Sequence, residues 1–261
     1  MENTKPLISV IINCYNGEKY LREAIDSVVN QTYKNWEIVF WDNWSTDSSA
    51  EIVKSYKNDK IHYFYAPKHT PLGEARNLAM KCITGELFSF LDTDDIWTPD
   101  FLSIAVSALI EDITIVGFYS NYYNYYIEKQ NKKVENNRNW KSGIHDLKFV
   151  VSNYGIAMSG CVLRANVASK NRISFDNHFH LVEDMDFFLS FLQFGTFFYD
   201  SRVLAYYRVY SNNNSHKLQD KWAFEYETLL DKIRKRNISN PILTEEDLRM
   251  IKIMVLSNKM E

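Results

Sequence analysis

Leu7–Asp42 reads LISVIINCYNGEKYLREAIDSVVNQTYKNWEIVFWD, and its two ends share one character. Leu7–Asn13 (LISVIIN) is a nearly unbroken β-branched run, and Trp36–Trp41 (WEIVFW) is a second apolar one. Runs apolar at successive positions, rather than alternating ones, mark strands buried on both faces of a parallel sheet. Between them Tyr20, Leu21, Ala24, Ile25, Val28 and Val29 recur at helical spacing, with Asn16 placed to cap the helix.

The unit repeats. Ser45-Thr46-Asp47-Ser48 opens a helix carrying Ile52, Val53 and Tyr56, and Ile61–Ala66 is a third strand. Leu72–Ile83 is a third helix, with Gly85 as its stop, and Leu87–Leu91 a fourth strand. Thr98-Pro99 starts another helix, with Thr as cap and Pro in the first turn. Alternation of this kind predicts an α/β fold, an open, mostly parallel sheet flanked by helices.

Such sheets bind ligands beyond the carboxyl ends of their strands. The first, second and fourth strands end in Asn13-Cys14-Tyr15-Asn16, Asp42-Asn43-Trp44-Ser45 and Asp92-Thr93-Asp94-Asp95, so three polar clusters share one edge. In the third cluster, LFSFLDTDDIW (Leu87–Trp97), a buried strand runs straight into three carboxylates. Two carboxylates ~4 Å apart repel by about 4 kcal/mol at an effective dielectric of 20, and a bound cation would offset that.

Beyond Glu128 the alternation stops. Lys129–Gly143 is polar and aperiodic, an exposed loop or hairpin connection. Gly155–Leu163 is apolar, Val182–Phe194 helical, and Phe197–Tyr210 an aromatic strand pair. Leu218–Arg236 and Thr244–Lys259 read as two helices joined at Asn240-Pro241. The tyrosines of Phe118–Tyr126 fit a strand packed on one face and wet on the other, or a surface that meets sugar or lipid.

At 261 residues, 46% hydrophobic and 24% charged, the chain suits one large domain or a domain with an appendage. A net charge of −3 argues against nucleic acid as a partner. Cys14, Cys82 and Cys161 form no C-x-x-C pair, and three reduced thiols in a cytoplasmic protein are expected. The N-terminus lacks an apolar signal core, and no run of about 18 apolar residues occurs.

Ser9–Asp47, followed by GEARNLAM (73–80), GELFSFLDTDD (85–95), VEDMDFFL (182–189) and YYRVYSNNNSH (206–216), resembles glycosyltransferase family 2 on the GT-A fold. The pieces occur in the family's order over roughly residues 7–216. The resemblance implies inverting transfer of a sugar, UDP-linked in the first instance, from a nucleotide-diphosphate donor. The acceptor would be a hydroxyl of a glycan or lipid-linked molecule, in cell-surface polysaccharide or glycoconjugate synthesis. It implies a GT-A domain over 1–217, with donor half 1–128 and acceptor half 129–217, and a helical extension over 218–261.

By the same resemblance Asp94 ligates Mn²⁺ or Mg²⁺, while Asp92 and Thr93 of the D-x-D element meet ribose or donor sugar. Hard cations of this kind take oxygen ligands and neutralise a departing diphosphate. Asp42 would read the nucleobase, although Asn43 and Trp44 depart from the Asp and Gly common in relatives, and a plain turn acid is the alternative. Cys14, Tyr15 and Asn16 would meet the nucleoside. Arg76 would pair with the carboxylate loop or a phosphate, or form a structural ion pair. Asp184 matches the general base that takes the acceptor's proton, and Glu183 would orient the loop. Asp186 points elsewhere on its helix, and acids favoured by the helix dipole are the alternative for the whole group. Arg208 and His216 would contact phosphate; His178 and His180 line the acceptor pocket or sit in an exposed loop.

A dehydrogenase lacks its G-x-G-x-x-G here, and a P-loop enzyme its G-x-x-x-x-G-K-[ST]. A nucleotidyltransferase would carry a glycine-rich loop where LISVIINCYNGEKY has a single glycine. A non-catalytic sugar- or nucleotide-binding module on the same fold would have lost Asp94 or Asp184, and both are present. The tail's Lys232, Arg234, Lys235, Arg236, Arg249 and Lys252 could lie on an anionic bilayer at the inner face of the membrane, or pack on the domain.

Overall fold

A computed structural model describes residues 5–127, 131–134, 140–210, 222–239 and 242–249. Its elements, in chain order, begin with β1 (Ile8–Cys14), α1 (Leu21–Val29), β2 (Trp36–Asp42), α2 (Ser49–Ser55), β3 (Ile61–Tyr65), α3 (Leu72–Met80) and β4 (Leu87–Phe90). Then come β5 (Ile96–Trp97), α4 (Phe101–Glu111), β6 (Ile115–Tyr126), β7 (Asn131–Val134), β8 (Gly143–His145) and α5 (Leu147–Ser152). The rest are β9 (Cys161–Arg164), α6 (Ala165–Asn171), α7 (Glu183–Phe191), β10 (Thr196–Val209) and α8 (Trp222–Ser239).

One sheet runs β3-β2-β1-β4-β9-β6-β10-β5, with β7 on β6 and β8 on β10. β1 pairs in parallel with both β2 and β4, so the strand order reverses between β1 and β4. That reversal opens a crevice at the carboxyl ends of the two strands. The parallel arrangement expected from the sequence holds through β4; antiparallel β9 then separates β4 from β6. Every residue of β2 and β4 is buried, as expected of strands covered on both faces.

Two cores cover the sheet. Ile8, Val10, Ile12 and Cys14 join Leu21, Ile25 and Phe101 beneath α1 and α4. Ile11, Val39 and Phe88 join Ala75, Phe187 and Leu229 beneath α3, α7 and α8. Gly85 is not the helix stop expected of it, since α3 ends at Met80. A Cβ on Gly85 would come within 2.5 Å of the Leu7 carbonyl, so glycine is needed for the close approach to β1.

Other local expectations are also corrected. Asn16 does not cap α1: it sits at φ 54°, and its Oδ1 accepts the Thr46 N–H at 2.8 Å, so the helix begins only at Leu21. Thr98 does not cap α4: the helix starts at Phe101 with Asp100 at the cap position, and Thr98 Oγ1 is buried without a hydrogen-bond partner among the described residues. Phe197–Tyr210 is a single strand rather than a pair, bulged between Asp200 and Val203 where exposed Ser201 and Arg202 leave the ladder. The helix expected over Val182–Phe194 is shorter, and the segment after Arg249 lies outside the described residues.

α8 packs on the body through charge as well as apolar contact. Lys232 pairs with Asp176 and Asp186, and Arg236 with Asp186 at 3.0 Å. These two cations of the tail therefore face inward. No described helix is long and apolar enough to cross a membrane.

Candidate active site

The carboxylate loop leaves β4 as a turn, with the Asp95 N–H donating to the Asp92 carbonyl at 3.1 Å. Gly17 leaves room for it: a Cβ there would lie 3.1 Å from the Thr93 side chain and 3.0 Å from Cys14 Sγ. The three acids have different surroundings. Asp95 is buried, accepting the Arg208 backbone N–H at 3.2 Å, and its carboxyl is raised well above the usual range by burial and then by Asp94 and Asp92. Asp94 accepts the Tyr210 hydroxyl at 2.9 Å and is raised by burial and by the charge of Asp92. Asp92 turns to Arg76.

Arg76 joins this loop to the second acidic motif. It is 4% exposed, reaching Asp92 Oδ1 at 3.3 Å with Nη2 and Glu183 Oε1 at 3.2 Å with Nη1. Burial works against its charge, but Asp92, Glu183 and Asp184 more than offset that and hold it protonated. The rings of Phe90 and Phe175 lie 5.9 and 5.4 Å from its guanidinium carbon.

Asp184 lies in the first turn of α7, half-buried beside Glu183. Burial and the Glu183 charge push its carboxyl up to about 7, while the Met185 N–H, Arg76 and the Tyr154 hydroxyl act the other way. A carboxylate tuned near neutral pH suits proton abstraction. Asp186 faces the opposite way, into α8, as expected. Ahead of the helix, the buried Glu225 of α8 accepts the backbone N–H groups of His180, Leu181 and Val182, which fixes how α7 enters the site. His178 is exposed and paired with Asp176.

Arg208 is 2% exposed, held by Glu23 of α1 and lying 4.4 Å from the centre of the Tyr20 ring. His216 lies outside the described residues.

At the rim, Asp42 is fully buried and spends both oxygens locally, on the Ser45 N–H at 2.8 Å and the Tyr63 hydroxyl at 2.6 Å. The Cys14 side chain is buried, and its carbonyl accepts the Asn43 N–H. Asn43 in turn ties down Thr70. Tyr15 and Trp44 are exposed, Tyr15 with its ring edge-on to His69 at 4.4 Å and Trp44 at φ 75°. Sequence reading gave no role to Tyr210, Glu23, Tyr154 or Glu225; Tyr210 lay within the quoted YYRVYSNNNSH segment, and the first-turn acid at Glu23 fitted a surface helix equally well.

A divalent cation fits this rim. Its oxygen donors are of the right chemistry, and a positive charge would offset both the burial and the Asp92 repulsion that raise Asp94. No three described His, Cys, Asp or Glu residues could hold a metal alone, so substrate oxygens and water would complete its shell.

The model of Glycosyl transferase family 2 matches residues 9–167. An uncharacterised glycosyltransferase of Rickettsia typhi is 30% identical over 260 residues, 96% of this chain and 77% of that protein. The putative teichuronic acid biosynthesis glycosyltransferase TuaG of Bacillus subtilis is 34% identical over 113 residues, 42% of this chain and 45% of its own length. The crystal structure of S. aureus TarS 1-349 in complex with UDP-GlcNAc matches at TM-score 0.76 and 20% identity, over 95% of this chain and 71% of that one. The mannosyltransferase PcManGT of Pyrobaculum calidifontis, in complex with GDP-Man and Mn²⁺, matches at TM-score 0.70 and 16% identity, over 98% of this chain and 70% of that one.

Proposed function

The chain belongs to glycosyltransferase family 2 on the GT-A fold, and from that premise we propose an inverting enzyme. It moves a hexosyl or N-acetylhexosaminyl group from a UDP-linked donor to a hydroxyl of a glycan or lipid-linked acceptor, in cell-surface polysaccharide synthesis. The UDP-GlcNAc of TarS and the GDP-Man of PcManGT favour a nucleoside diphosphate sugar as the donor class. Residues 1–128 form the donor side and 129–217 the acceptor side, with Arg208 and His216 reaching back to the donor, and the extension proposed after them contains α8.

Asp184 accepts the acceptor hydroxyl's proton while that oxygen bonds to the anomeric carbon. The bond from this carbon to the diphosphate breaks on the opposite face, the nucleoside diphosphate leaves with the electron pair, and configuration inverts. Asp94 would hold Mn²⁺ or Mg²⁺, which supplies positive charge against the leaving diphosphate. Asp92 and Thr93 hold the donor's sugar or ribose; Tyr15, Asn16 and the Cys14 backbone hold the nucleoside, and Asp42, whose oxygens are taken by Ser45 and Tyr63, would reach it only by giving up one of them; Arg208 and His216 hold phosphate. Glu183 and Arg76 keep base and donor loop in register.

The observation that carries this reading is the Arg76 bridge, which gathers D-x-D loop and acid pair around one buried cation. The test is a thermal-shift screen of nucleotide sugars with Mn²⁺, Mg²⁺ or EDTA. A uridine nucleotide sugar should raise the melting temperature only with metal; stabilisation undiminished in EDTA would remove the cation from donor binding.

A further inference from the structure

Arg76 is drawn to two acids that lie on opposite sides of the reaction assigned above. Its Nη2 reaches Asp92 of the donor loop and its Nη1 reaches Glu183, the residue next to Asp184. The Glu183 pair is removed from bulk water, its side chains 5% and 11% exposed, so screening there is weak, while Asp92 keeps about a third of its side chain in water. Arg76 Nε has no hydrogen-bond partner among the described residues, so the side chain's charge is committed to these two carboxylates.

We propose that Arg76 is a positioning residue that sets when Asp184 ionises, by neutralising Glu183 beside it. The inference rests on Asp184 being the base. Glu183 and Asp184 share the first turn of α7, where the charge of Glu183 disfavours that of Asp184 and a cation paired with Glu183 offsets it. Among the described residues, three side chains with charged or titratable groups act most strongly on Asp184. Glu183 comes from α7 itself, Arg76 from α3 and Tyr154 from the connection after α5. Glu225 approaches from α8, but its carboxylate is turned to three backbone N–H groups preceding the helix. Arg76 is the only cation in that set. Because the same fork holds Asp92, the loop expected to meet the donor and the base expected to meet the acceptor share one charge.

The test is the pH dependence of kcat/KM for the wild type, Arg76→Met, Glu183→Gln and the double variant, with Asp184→Asn as control. The height of each profile reports donor contact; the position of its acid limb reports the base. Arg76→Met should move the limb up by at least one unit, a tenfold deeper loss at pH 6 than at pH 9 relative to wild type. Glu183→Gln should move it down, and the double variant should return it towards wild type. An unmoved limb in Glu183→Gln, which leaves the arginine in place, overturns the proposal even if Arg76→Met fails to fold. A double variant that keeps the limb of Arg76→Met overturns it too. Should Asp184→Asn itself turn over normally, the reading of the base fails instead, and the two failures are told apart.

Discussion

Two buried arginines stand at this site, and their partners differ. Arg76 is enclosed by aromatic rings and paired with Asp92 and with the buried Glu183. Arg208 is as deeply buried, yet its partner Glu23 has a side chain 59% exposed. An ion pair with one member in water is easily exchanged, and one whose members are both desolvated is not. Arg76 is thus part of the frame, whereas Arg208 can trade a surface carboxylate for a phosphate.

Stability measurements can break that contrast. Arg76→Met should lower the unfolding free energy by about 3 kcal/mol, because it strands the buried Glu183 carboxylate without a cation. Glu23→Gln should cost under about 1 kcal/mol and leave UDP binding equal or tighter. Urea titrations of both variants, with calorimetry of UDP binding, check this; equal losses would erase the distinction.

The same titrations carry a pH dependence. Asp184 binds its proton more tightly folded than unfolded, with its carboxyl lifted from the ordinary 3.8 to about 7. Between those values the folded state carries the extra proton, so this group's contribution to stability is present at low pH and lost as pH rises through about 7. From pH 5 to pH 8 the urea midpoint of Asp184→Asn should rise relative to that of the wild type, because the variant lacks this loss. A slope unchanged in that variant would assign it to other groups.

Much of the frame could be read from the chain because burial on both faces leaves a local mark. β1, β2 and β4 appear as continuous apolar runs, and each ends in polar residues that share the crevice. What stayed hidden depends on distance in sequence. β5 is two residues long and exists only because β10 pairs with it. Glu23 meets Arg208 across 185 positions, and Tyr210 meets Asp94 across 116. Asn16 has a good cap's chemistry, but loop 43–48 claims its side chain. The acids themselves were visible as motifs; that Arg76 joins Asp92 to Glu183 followed only from α3 packing between them.

Donor binding and proton abstraction are proposed to fall to separate acids of one rim. One preparation of Asp184→Asn separates them, when calorimetric binding of the donor nucleotide with Mn²⁺ and sugar transfer to acceptor are both measured on it. Binding should match wild type while turnover falls by at least about a hundredfold. Turnover retained in that variant, or lost only in step with donor binding, would contradict the account.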